Sequence, residues 1–161
     1  MAAGIEIRGN KSVGDLGREA AAFILHTVFA LLLLAVVVGG FTVVHPDPDA
    51  SGPKLLCTGL AFLLPMIFGL IFTSIRRDMI APYVWISGVI AFCLVSVWVL
   101  DLPTGNGLCN DCGAVDKLWR TFFSIDKGSG LMGGDGLLIG TWVPLCMIGY
   151  ALGAKLGLGN S

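Results

Sequence analysis

The chain has 161 residues, of which 55% are hydrophobic and only 13% charged, with a formal net charge of −1 at pH 7. A soluble globular domain carries about 25% charged residues, so this composition excludes an ordinary soluble domain. The near-neutral charge gives no reason to propose nucleic-acid binding.

Taken in chain order, residues 1–19 read as a polar leader. Ile5, Val13 and Leu16 are too sparse, and Gly9, Gly14 and Gly17 too frequent, to predict a stable helix there. Four stretches without a formal charge follow, Ala20–Val44, Leu55–Ile75, Met79–Leu100 and Gly136–Ala154. Each is close to the roughly 20 apolar residues that an α-helix needs to cross about 30 Å of hydrocarbon. The expected fold is all-α. It is an integral membrane domain over 20–158, with spans near 20–44, 55–75, 79–100 and 136–157 and an outer loop over 101–135. The first apolar run is too long for a signal-peptide core, so it is expected to stay in the mature chain as the first span.

Lys and Arg in the flanks set the expected orientation. Arg8, Lys11, Arg18, Arg76, Arg77 and Lys155 fall on one side, and Lys54, Lys117, Arg120 and Lys127 on the other. The excess predicts both termini in the cytoplasm of a cell with an inner (plasma) membrane. Cys109 and Cys112 then face the oxidising side, where a disulfide persists.

His26 lies about a turn and a half into span one. An ionisable residue inside a span is a candidate functional group, here a cofactor ligand such as a haem or pigment ligand. The competing reading is a neutral histidine hydrogen-bonded to another helix. His45, the only other histidine, is 19 residues on. That is about 28 Å along a straight helix, so one copy does not ligate one haem with both. No cofactor is clearly implied, and no catalytic or metal-binding residue is assigned.

The connection His45–Pro53 is rich in proline, which predicts a turn. Spans two and three are expected to form a tight antiparallel hairpin joined by Arg76, Arg77 and Asp78, with Asp78 as a local partner of the arginines. Pro65 in span two frees the carbonyl of Ala61. Tyr83, Trp85, Trp98 and Trp142 lie near span ends, where amphipathic rings favour the interface.

In the outer loop, Cys109-Asn110-Asp111-Cys112 is the sharpest local motif. A C-x-x-C pair is a redox dithiol, half a metal site or a structural disulfide. In span number and in this external pair the chain resembles the quinone-linked disulfide-forming membrane proteins. That resemblance implies a thiol–disulfide oxidoreductase using Cys109 and Cys112 with quinone. The chain departs from that family in having no cysteine in the first outer connection. Val115, Leu118, Trp119, Phe122 and Phe123 then fall on one apolar stripe, with Lys117, Arg120 and Thr121 opposite. This predicts a short amphipathic helix, either in the plane of the interface or packed on the spans or on another subunit.

Span four carries Gly136 and Gly140, then Gly149, Gly153 and Gly157, at a spacing of four. Such a ladder lets another helix approach closely, either within the bundle or between subunits, and the second is slightly favoured. Pro144 frees the carbonyl of Gly140 and predicts a kink, with Thr141 available to satisfy the freed group.

Three functions are compatible with these features. The first is a non-catalytic subunit that oligomerises or joins a membrane complex, its partners being the bilayer and other membrane subunits or copies of itself. The second is the thiol–disulfide oxidoreductase. The third is a small homo-oligomeric channel or sensor.

Overall fold

The computed structural model describes residues 13–44, 51–101, 113–123 and 139–159. They form helix α1 (Val13–Val44), helix α2 (Ser51–Ile75), a 3₁₀ turn (Ala81–Tyr83), helix α3 (Trp85–Asp101), helix α4 (Ala114–Phe122) and helix α5 (Ile139–Gly159). Among the described residues there is no strand, so the architecture is all-α. Gly14–Val44, Gly52–Ile75, Ala81–Asp101 and Gly140–Gly159 are long and apolar enough to cross a membrane.

Three helix starts differ from the sequence expectation: α1 and α2 begin earlier, and α3 begins later, at Trp85. α1 begins at Val13, so the last seven residues of the polar leader are helical. A long apolar helix already supplies the nucleus, and each added residue then gains a hydrogen bond despite its weak propensity. Asp15 in the first turn also suits the positive end of the helix dipole. α2 begins at Ser51, with Pro53 inside its first turn. There a missing backbone N–H loses no helical hydrogen bond.

α5 is the hub of the bundle. It packs against α1, α2, α3 and α4, and it is the most buried of the four long helices. Its partnership with α2 is the most extensive among the described helices. Glycine explains the closeness. A Cβ on Gly149 would run into the carbonyl oxygen of Phe62, and one on Gly157 would lie 2.6 Å from the Leu70 carbonyl oxygen. A Cβ on Gly153 would meet the Met66 carbonyl carbon at 2.7 Å and the Leu70 nitrogen at 3.0 Å. α2 reciprocates with Gly69, whose missing Cβ makes room for the carbonyl of Tyr150. These backbones touch directly, which maximises dispersion between two apolar helices. The face carrying Gly149, Gly153 and Gly157 is therefore filled by α2 of the same chain rather than by a second subunit. Gly136 lies outside the described residues.

The expected hairpin of α2 and α3 takes a different form. The link between them runs from Arg76 to Val84 and contains the 3₁₀ turn, with Pro82 in its first positions. α3 then packs on α5 and α4. Gly88 permits this, because a Cβ there would meet Met147 Cβ at 2.9 Å.

α2 and α5 both run through their internal prolines, Pro65 and Pro144, as single helices. Thr141 does not serve the Gly140 carbonyl. Its hydroxyl donates to the Phe122 carbonyl at 2.6 Å and ties α5 to α4.

α4 splits its apolar stripe. Phe122 is buried against Gly140 and against the ring of Phe92, whose centroid is 4.5 Å away. Val115, Trp119 and Phe123 face outward, while Lys117 and Thr121 are buried. Polar satisfaction sets this rotation. Lys117 Nζ donates to the Leu100 carbonyl at 3.3 Å, one of the open carbonyls at the end of α3. Thr121 Oγ1 donates to the Lys117 carbonyl at 2.8 Å.

Candidate functional site

The start of α1, the end of α2, the 3₁₀ turn and the end of α5 meet at one end of the bundle, and there the structure assembles a chain of three polar side chains. His26 on α1 is only 2% exposed. Its Nδ1 is 2.8 Å from the hydroxyl of Tyr150 on α5, and its Nε2 is 3.1 Å from Oδ2 of Asp78. The ring of Phe72 on α2 meets the imidazole edge-on at 5.3 Å.

Local sequence positions each member. The Ile80 amide donates to Asp78 Oδ1 at 3.0 Å, an Asx-type turn two residues long. That bond fixes one carboxylate oxygen and presents the other to His26. Tyr150 is held between α1 and α2, where Gly69 lies under its backbone carbonyl and Phe29 stands 6.2 Å from its ring. Burial pushes the Asp78 carboxyl up, but the Ile80 amide, the bond from His26 and the charges of His26 and Arg76 outweigh it. The group is held below the ordinary carboxylate range.

Proton positions follow from the donor inventory. An ionised carboxylate only accepts, so His26 Nε2–H donates to Asp78 Oδ2. In the neutral imidazole Nδ1 then accepts, and the Tyr150 O–H donates to it. When the ring is protonated, Nδ1–H donates to the Tyr150 oxygen instead. The arrangement holds a carboxylate, an imidazole and a phenol in series, from the edge of the bundle to its interior. Asp78 and Tyr150 between them occupy both ring nitrogens of His26.

Both ring nitrogens of His26 are engaged, so a haem or pigment ligated by His26 would have to displace Tyr150 or Asp78. Among the described residues, no three His, Cys, Asp or Glu side chains converge as a metal site. Cys109 and Cys112 lie outside the described residues. Cys57, Cys93 and Cys146 are free thiols. The Cys146 thiol donates to the Ala30 carbonyl at 3.2 Å, which fastens α5 to α1 one turn from Tyr150.

Asp78 and Tyr150 are the members that sequence reasoning missed. Asp78 is 52 residues from His26 and Tyr150 is 124 away. The available signal was the rarity of polar groups in apolar spans, which makes each a candidate partner for the others. Trp142 differs from expectation in the same way. It is buried, and its indole N–H donates to Thr58 Oγ1 at 2.8 Å.

No protein-family model, curated protein or solved structure matches the chain.

Proposed function

We propose that the chain is a four-span integral protein of an inner (plasma) membrane with both termini cytoplasmic, and that it acts as a non-catalytic, oligomerising or accessory subunit of a membrane assembly. The observation that carries this reading is the outward ridge of Val115, Trp119 and Phe123. α4 is fixed to the bundle through Lys117, Phe122 and Thr141, so the ridge is presented at a set angle. All three side chains point away from the chain's own core. Large aromatics held rigidly at the end of a bundle are what a neighbouring membrane subunit packs against. α1 adds a second projection. Its 32 residues measure about 48 Å at 1.5 Å per residue, well beyond a hydrocarbon core of about 30 Å.

Extraction in a mild detergent followed by native mass spectrometry tests the reading. The expected result is a homo- or hetero-assembly that W119S/F123S dissociates while the bundle stays folded. A wild-type monomer, or an assembly indifferent to that pair, would overturn it.

A small homo-oligomeric channel or sensor is the second reading, and the Asp78–His26–Tyr150 chain favours it. The three side chains link α1, α5 and the turn after α2 by hydrogen bonds inside an otherwise apolar bundle, and such buried polar groups mark candidate functional sites.

A further inference from the structure

Two adjoining hollows lie between α1 and α2 beside His26. The first, about 270 Å³, is bordered by Arg18, Ala22, Arg76 and Asp78. The second, about 240 Å³, is walled by Val28, Phe29 and Leu32. Leu25, His26 and Phe72 border both, so they form one continuous cleft. Its character changes along its length. The mouth has two arginines, Arg18 on α1 and Arg76 just past the end of α2, and apart from His26 the remainder is apolar.

We propose that this cleft binds an anionic phospholipid, with the phosphate between Arg18 and Arg76 and one acyl chain along Phe72, Phe29 and Leu32. The proposal rests on the membrane-spanning part of the reading above, and is independent of the subunit part.

Three observations carry it. The first is dimension. Arg18 to Leu32 covers 14 residues of α1, or about 21 Å. One leaflet, headgroup included, is about 20–22 Å deep, so a lipid with its phosphate at Arg18 ends its chain near Leu32. The second is charge. Asp78, the one carboxylate at the mouth, is already bound to His26 and to the Ile80 amide. Among the described residues neither Arg18 nor Arg76 has a carboxylate within 4 Å; the charge of Arg76 acts on Asp78 from farther off, so both guanidiniums keep donors for an incoming anion. A guanidinium pair suits the phosphate of a net anionic lipid better than that of a zwitterionic one, whose own ammonium offsets it. The third is position. Arg18 stands two residues before the uncharged stretch that begins at Ala20, and Arg76 stands one residue after α2 ends at Ile75. Both are at the depth where lipid phosphates lie.

The test is native mass spectrometry of the full chain exchanged into detergent with equimolar phosphatidylglycerol and phosphatidylcholine of identical chains. Each arginine is expected to favour the anionic lipid about fivefold, so the wild type should retain it by roughly thirtyfold. R18Q/R76Q should bring the ratio near one, and R77Q and K155Q should leave it in place. R18Q alone covers the case in which the double variant fails to fold. Arg18 is exposed, and its loss should lower the ratio about fivefold. Equal retention of the two lipids by the wild type would overturn the proposal. So would an undiminished preference in R18Q, or release of phosphatidylglycerol by millimolar inorganic phosphate, which would mark a site for free anions. The same spectra report oligomeric state, so a monomer that keeps the preference overturns only the subunit reading.

Discussion

Replacing Gly153 by alanine adds one methyl group at the tightest point between α5 and α2. The new Cβ would overlap the Met66 carbonyl oxygen, with the carbonyl carbon at 2.7 Å and the Leu70 nitrogen at 3.0 Å. Ordinary contact begins at 3.4 Å, so the carbon alone must retreat by about 0.7 Å, and the oxygen further. These are backbone atoms of a continuous helix, and no rotamer change relieves them. The two helices must separate, which also strains the bond from Thr73 Oγ1 to the Ala154 carbonyl at 3.0 Å. Overpacking of this kind costs about 1–3 kcal/mol, and a clash with rigid backbone on several atoms belongs at the upper end. Gly59 on α2 is the control, since a Cβ there meets nothing within 4 Å. G59A should be neutral or stabilising by about 0.5–1 kcal/mol, from the better helix propensity of alanine. Thermal unfolding in a single detergent, followed by tryptophan fluorescence, reads the difference. At roughly 2–4 °C per kcal/mol, G153A should melt about 6–12 °C below the wild type, and G59A at or slightly above it. A G153A protein as stable as the wild type would refute the direct backbone contact of α2 and α5.

The remaining predictions concern the polar groups. Y150F removes the donor to His26 Nδ1 and should destabilise by about 1–2 kcal/mol. In a double-mutant cycle with H26Q, chemical denaturation should show a coupling of about 1 kcal/mol, whereas additive losses would mean that the bond contributes nothing. Asp78 is held below its ordinary range, so its stabilising contribution is full above the unfolded carboxylate pKa of about 4, and is lost as pH falls through the lower folded value. Melting temperature should therefore drop on acidification below about pH 4 in the wild type, and D78N should flatten that slope. An identical slope in D78N would assign the acid response to other groups. W142F leaves the Thr58 hydroxyl without its indole donor and should destabilise by about 1 kcal/mol, checked by the same melt.

Much of the helical content was readable from charge placement alone. A charged side chain inside a span is so unfavourable that its absence over about 20 residues marks helix after helix. The ends of those helices were less readable, because cooperativity carries α1 back to Val13 through glycines that propensity alone would leave unfolded. His26 was visible as an outlier in an apolar run. Its partners were not, since hydrogen bonding across 52 and 124 residues depends on which helix ends meet.

The glycines draw the line between the two kinds of information. Their spacing of four on α5 fixes that Gly149, Gly153 and Gly157 share one face, because 3.6 residues make a turn. Spacing says nothing about which neighbour fills that face. Only the packed bundle assigns it to the backbone of α2, and so brings Tyr150, on the adjoining face of α5, against His26. The same holds for α4. Periodicity fixes that its apolar residues lie together, but the open carbonyl of Leu100 and the hydroxyl of Thr141 decide how far the helix turns. Individual helices follow from local pattern. Their order around α5, and every bond between them, follows from fitting rigid surfaces and satisfying polar groups that are far apart in the chain.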